Sequence, residues 1–146
     1  MLQLARRGLI AIPVAAALAL LLPDDVRAQS QSVRNKVVFQ VSDADPQKWN
    51  LALNNAKNLQ DDMGSDLVEL EIVAYGPGIG MLKGDSPVGA RVAEALKNGV
   101  KVVACENTMR AQKLVYADML PKIGYVPAGV VELMKKQQEG YAYIRP

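Results

Sequence analysis

The chain has 146 residues, with 17 basic and 15 acidic side chains, a 50 % hydrophobic content, one cysteine and no histidine. A charge balance this close to neutral, with only 5 % aromatic residues and no basic stripe, excludes an extended nucleic-acid surface. The absence of histidine closes the Cys-His route to an activated thiol, and with one thiol and no carboxylates at ligand spacing neither a metal site nor a cofactor motif is expected.

Residues 1–28 read as a secretory signal peptide. Arg6 and Arg7 form a short charged start, residues 8–22 are almost wholly apolar, and Val26 and Ala28 suit cleavage after Ala28. The apolar run contains Pro13 and falls short of the roughly 18–20 residues that cross a bilayer, which favours a cleaved leader over a membrane anchor. Arg6-Arg7 before Gly-Leu-Ile suits a twin-arginine or a general secretory route, so the expected location is periplasmic or secreted. Cleavage removes Arg6, Arg7 and Arg27 with Asp24 and Asp25, which takes the formal charge from +2 to about +1. With a single cysteine the exported domain has no internal disulfide and must be held by packing alone.

Residues 29–35 are polar and predict a flexible lead-in. Residues 36–41, KVVFQV, predict a strand covered on both faces. The stretch from Ser42 to Gly64 predicts a helix with Asp45 as N-cap, Pro46 at its first position and Gly64 at its exit, its inner face built from Trp49, Leu53, Ala56, Leu59 and Met63. Residues 67–76 predict a second strand, in which Glu69 and Glu71 alternate with Val68, Leu70 and Ile72 and mark one partly exposed face. A glycine-rich loop follows, then a helix capped by Ser86 with Pro87 first, Val88, Val92, Ala95 and Leu96 inward, and Gly99 at its end.

Residues 100–105, VKVVAC, predict a third strand that is central and doubly covered. After it come a partly helical stretch with Asn107 or Thr108 as cap, a short strand within IGYVPAG, a helix closed by Gly140 and a terminal strand in YAYIRP. Residues 135–139, KKQQE, read as a solvated face of that last helix. Strands and helices alternate along the chain with short connections. The predicted fold is therefore α/β, a single domain over residues 36–146 with about five mainly parallel strands covered by helices on both faces in a flavodoxin-like layering.

In such a sheet the loops at the carboxyl ends of the strands carry the sites. Cys105 lies at that edge, before a helix start whose N–H groups favour a thiolate, with Arg110 and Lys113 close by in sequence and Glu106 opposing if it faces the sulfur. The loop from Tyr75 to Pro87 reaches the same edge, where Gly76, Gly78 and Gly80 allow close backbone approach to a ligand. Its spacing is neither that of a P-loop nor that of a dinucleotide fingerprint. The candidate site is thus Cys105 as the catalytic thiol, with Gly76, Gly78, Gly80, Asn107, Thr108 and Arg110 around a ligand. Two readings stay open on the residues alone: a reactive thiol, or a small buried residue at the end of an apolar strand.

Three stretches, GVKVVACENTM, VAYGPGIGMLKGDSPV and YVPAGVVELMKKQQEGYAYIRP, together resemble the DsrE/DsrF-like family, in a small exported branch, and the resemblance runs from about Lys36 to Pro146. It implies a five-stranded, mainly parallel sheet and assembly into a trimer or hexamer. In the sulfur-handling members a cysteine just after the third strand carries sulfur as a persulfide, and Cys105 falls at that position. The residues that follow it, Glu106 to Met109, differ from the small-residue run that often follows the carrier cysteine. The function implied is a periplasmic sulfur carrier or sulfurtransferase component that meets a sulfur donor and an acceptor protein, with no nucleic acid and no membrane after leader cleavage. The alternative is a non-catalytic oligomeric module that binds a small ligand or a protein and keeps Cys105 as a buried structural residue.

Overall fold

The computed structural model describes residues 35–146. The expected leader, and all of the lead-in but Asn35, lie outside the described residues. Among the described residues twelve elements follow one another, opening with strand β1 (Asn35–Val41) and helix α1 (Pro46–Met63). After a 3-10 turn (Ser65–Leu67) come β2 (Val68–Ala74), a longer 3-10 segment (Gly76–Leu82) and α2 (Gly89–Lys97). Next are β3 (Lys101–Cys105), α3 (Glu106–Ala111) and a 3-10 turn (Tyr116–Asp118), and the chain closes with β4 (Gly124–Val126), α4 (Gly129–Gln138) and β5 (Ala142–Ile144). The strands form one sheet in the order β4-β3-β2-β1-β5, every neighbouring pair parallel. The fold is α/β with a parallel sheet and helices on both faces.

Local chemistry explains most of the element ends. At α1 the Asp45 side chain accepts the Gln47 N–H at 2.8 Å, Pro46 occupies the first turn where its missing N–H costs nothing, and Gly64 leaves the helix at φ 89°. Trp49, Leu53 and Ala56 are buried, and Ala52 joins them. Met63, expected to face inward, is exposed. An 18-residue helix runs about 27 Å and a seven-residue strand about 23 Å, so the last turn of α1 overshoots the sheet.

The start of α2 differs from the expected one. Residues 86–89 close a turn, with the Gly89 N–H on the Ser86 carbonyl at 3.0 Å, and the helix begins only at Gly89. The Ser86 hydroxyl oxygen accepts the Val88 N–H at 3.4 Å, so it holds the turn before the helix instead of capping the helix.

Packing on the two faces is unequal. The larger core contains Phe39, Leu70, Ile72, Met81, Leu82 and Val92, and α1, α2 and the 76–82 segment contribute to it. The other core is small, Val38, Val73, Leu133 and Tyr141, with α4 packed over β1, β2 and β5. That placement corrects two expectations. β3 lies between β2 and β4, but its α4-side residue Val103 is only half-buried, at the margin of the small core. Glu71 is no surface residue either: it is 3 % exposed beneath α4, with its carboxylate 3.4 Å from Lys136 Nζ. The stretch 135–139 is accordingly not uniformly solvated, since the Lys136 side chain is 13 % exposed.

Candidate functional site

β3 ends at Cys105, and the side-chain alternation of a strand sends residues 101, 103 and 105 to the face that α4 covers. α3 starts at the next residue, so Cys105 itself occupies the N-cap position and Asn107 and Thr108 lie inside the first turn. Neither of those two side chains caps the helix. The expected cap is absent because both are turned to other partners: the Thr108 hydroxyl oxygen accepts the Gly76 N–H at 2.9 Å, and the Asn107 amide oxygen accepts from the Arg110 guanidinium.

The Cys105 side chain is 4 % exposed. Burial pushes its thiol up, but the Thr108 hydroxyl and the N–H groups of Gly129, Thr108 and Asn107 all favour the thiolate, and together they bring it below the ordinary value of 9.0. The Gly76 N–H occupies a lone pair of the Thr108 oxygen, which leaves the hydroxyl proton free for the sulfur. The Asn107 N–H also donates to the Pro127 carbonyl at 3.1 Å, so its share at the sulfur is the smallest. The groups that lower the thiol are neutral dipoles.

Gly129 is the contributor that sequence reasoning missed. It opens α4, a helix without any side-chain N-cap, and it is buried. A Cβ at this position would lie 2.9 Å from the Cβ of Tyr75, so only glycine lets the start of α4 come down on the carboxyl end of β2. The signal was present in the sequence as Pro127-Ala128-Gly129, a small-residue helix start directly after the short strand that pairs with β3.

The other expected site residues are spread more widely. Gly76 reaches Cys105 through Thr108, as described. Gly78 is buried against β1, where an added Cβ would meet the Val41 carbonyl oxygen at 2.3 Å, and a Cβ added at Gly80 would lie 3.1 Å from the Trp49 ring. Asn107 and Arg110 are exposed and joined to each other. Glu106 turns its carboxylate to the Tyr116 hydroxyl at 2.5 Å, and with Met109, Arg110, Leu114, Val115 and Tyr116 it lines a groove of about 300 Å³.

The model of the DsrE/DsrF-like family matches residues 35–146. The chain belongs to that family. Among solved structures it is similar to a protein of unknown function, MTH1491 from Methanobacterium thermoautotrophicum, at 37 % identity and a TM-score of 0.73 over 77 % of this chain and 99 % of that one. A conserved protein of unknown function from Bacteroides thetaiotaomicron, BT1422, shares the fold at 14 % identity, with a TM-score of 0.65 over 80 % of this chain and 99 % of that one. The ychN protein from E. coli does so at 13 % identity, with a TM-score of 0.59 over 77 % and 99 %. Comparison with curated protein sequences gives no match. Family membership thus rests on the whole described domain, including the β3–α3 junction that holds Cys105.

Proposed function

We propose that this DsrE/DsrF-like protein is exported to the periplasm and carries sulfane sulfur on Cys105. The observation that supports this reading best is the place of Cys105 at the N-cap of α3, on the carboxyl edge of the parallel sheet, where the Thr108 hydroxyl and neighbouring N–H groups favour a thiolate. A thiol whose pKa is lowered is more ionised at neutral pH than an ordinary one and also leaves more readily as thiolate, and a carrier needs both properties. In the loading step the Cys105 thiolate attacks the outer sulfur of a persulfide or polysulfide donor; a new S–S bond forms on Cys105, the donor's S–S bond breaks, and the donor leaves as its own thiolate. In unloading, an acceptor thiolate attacks the same outer sulfur and Cys105 returns as thiolate. The proton on the outer sulfur travels with it, and no external oxidant or reductant enters.

A second reading, a binding module whose cysteine is a buried structural residue, draws on the 4 % exposure of Cys105. One experiment separates the two. Residues 29–146 and the same chain with Cys105→Ser are treated with inorganic polysulfide and weighed by mass spectrometry. The carrier reading expects a gain of one sulfur atom in the wild type alone. Equal uptake by both chains, or a thiol that reacts only in urea, selects the binding module. Export is checked separately by the mass of the protein recovered from cells, which should begin at Gln29.

A further inference from the structure

α4 covers its face of the sheet with little apolar contact. Leu133 packs with Val38, Val73 and Tyr141, and Gly129 lies against Tyr75. Residues 129, 133 and 136 recur at helical spacing, so one stripe of α4 carries, in order, the N–H that faces Cys105, the single buried leucine, and Lys136. Below the end of that stripe lies Glu71. Its Oε2 is 3.4 Å from Lys136 Nζ, while its Oε1 is buried with no hydrogen-bond partner. Glu132 at 3.7 Å and Glu139 at 3.4 Å also face the ammonium, and the ring of Tyr141 lies 5.0 Å beneath it. Facing three carboxylates, Lys136 stays cationic whichever of them holds a proton.

A buried ion pair of this kind adds little net stability, because desolvation offsets most of the attraction. Its contribution is direction. A lone leucine between Val38 and Val73 lets a helix slide or rotate on a strand, whereas a lysine held over one buried carboxylate fixes both position and azimuth. The fixed end lies about 10 Å along the helix axis from Gly129.

We propose that Glu71 and Lys136 are positioning residues for Cys105: by seating α4 on β2 they hold the Gly129 N–H against the sulfur. The proposal rests on the reading of Cys105 as a reactive thiolate. It differs in sign from a through-space effect. Glu71 lies at the middle of β2, level with the start of β3 and about 13 Å along the sheet from the level of Cys105, by the register Glu71 to Lys101 and Ala74 to Ala104. Removing a negative charge there would, through space, make the thiol more acidic. Loss of the helix seat makes it less acidic.

The test is the pH dependence of iodoacetamide alkylation in wild type, Glu71→Gln and Gly129→Ala, each checked for native circular dichroism. Gly129→Ala disturbs the other end of α4 directly, through the contact with Tyr75. Both variants are expected to titrate at higher pH than the wild type and to alkylate about fivefold more slowly at pH 7, as suits the loss of one of several hydrogen bonds to a thiolate. If the wild type titrates low and folded Glu71→Gln is unchanged or titrates lower still, the positioning role is wrong and the thiolate reading stands. A folded Gly129→Ala with an unchanged thiol overturns the proposal at its other end. Should the wild type itself titrate as an ordinary cysteine, the thiolate reading fails and takes this proposal with it. Where Glu71→Gln does not fold, Glu71→Asp replaces it, since that change keeps the charge and withdraws it by one methylene; an unchanged thiol in this variant again overturns the proposal.

Discussion

Thr108 acts on Cys105 twice, through its hydroxyl and through its N–H, and the hydroxyl stands first among the groups that lower the thiol. A hydrogen bond to a charged group contributes about 1.5–3 kcal/mol, so Thr108→Val, which keeps the shape and the N–H, should slow alkylation at pH 7 by about tenfold. Stopped-flow alkylation against pH measures it; an unchanged rate would assign the thiolate to the backbone donors alone. The same lowering makes stability depend on pH. A thiol that ionises more readily when folded adds stability that is complete above the ordinary value of 9.0 and is lost as pH falls through the folded value. Under reducing conditions the wild type should therefore gain thermal stability relative to Cys105→Ser as pH rises from neutral to 9, and parallel melting curves would remove the thiolate from the folded state. Gly78 calls for a different test, because an added Cβ would meet the Val41 carbonyl oxygen at 2.3 Å. Gly78→Ala should cost about 1–3 kcal/mol in denaturant titration, the usual range for overpacking, while leaving the donors around Cys105 in place.

At the scale of the element, α1 was legible at both ends and along most of its apolar stripe, Met63 excepted, since its cap, its first-turn proline and its exit glycine all lie in one short stretch. Asp45→Ala removes the bond to the Gln47 N–H and should lower stability by about 1 kcal/mol, measured by chemical denaturation. α3 was less legible for a physical reason. Asn107 and Thr108 are good capping residues locally, but the Gly76 N–H and Arg110 claim their side chains. Both partners of Thr108 at the site, Gly76 and Cys105, come from different strand ends, and only the sheet order brings them together. The strand pattern of β2 read Glu71 as solvent-facing for the same reason. Its burial depends on Lys136, which comes from a helix two strands later in the chain, and neither residue alone announces the other. The thiol position was visible in the sequence, and so was the small-residue start of α4; the place of Gly129 beside Cys105 was not, because it needs the β3–β4 pairing.

For the whole molecule, α4 raises a question that a single copy leaves open. Its inner stripe is used, yet Val130, Val131 and Met134 point outward, Val130 at 62 % exposure, and with Tyr143 of β5 they form an apolar surface beside a groove of about 460 Å³. A helix that is apolar on two sides is ordinarily covered on both. Assembly into the trimer or hexamer that the family resemblance implies would supply that cover next to Gly129, and would then also restrain the helix start that faces Cys105. Val130→Glu with Met134→Glu places two carboxylates on this surface without touching Leu133 or Lys136. Light scattering of residues 29–146 should give the mass of a trimer or hexamer for the wild type and of a monomer for the double variant with native circular dichroism. If the monomer also alkylates more slowly than the oligomer at pH 7, the interface and the thiol are coupled through α4; a wild type that is monomeric at micromolar concentration would remove the oligomer from the proposal and leave the Cys105 site to stand on one chain.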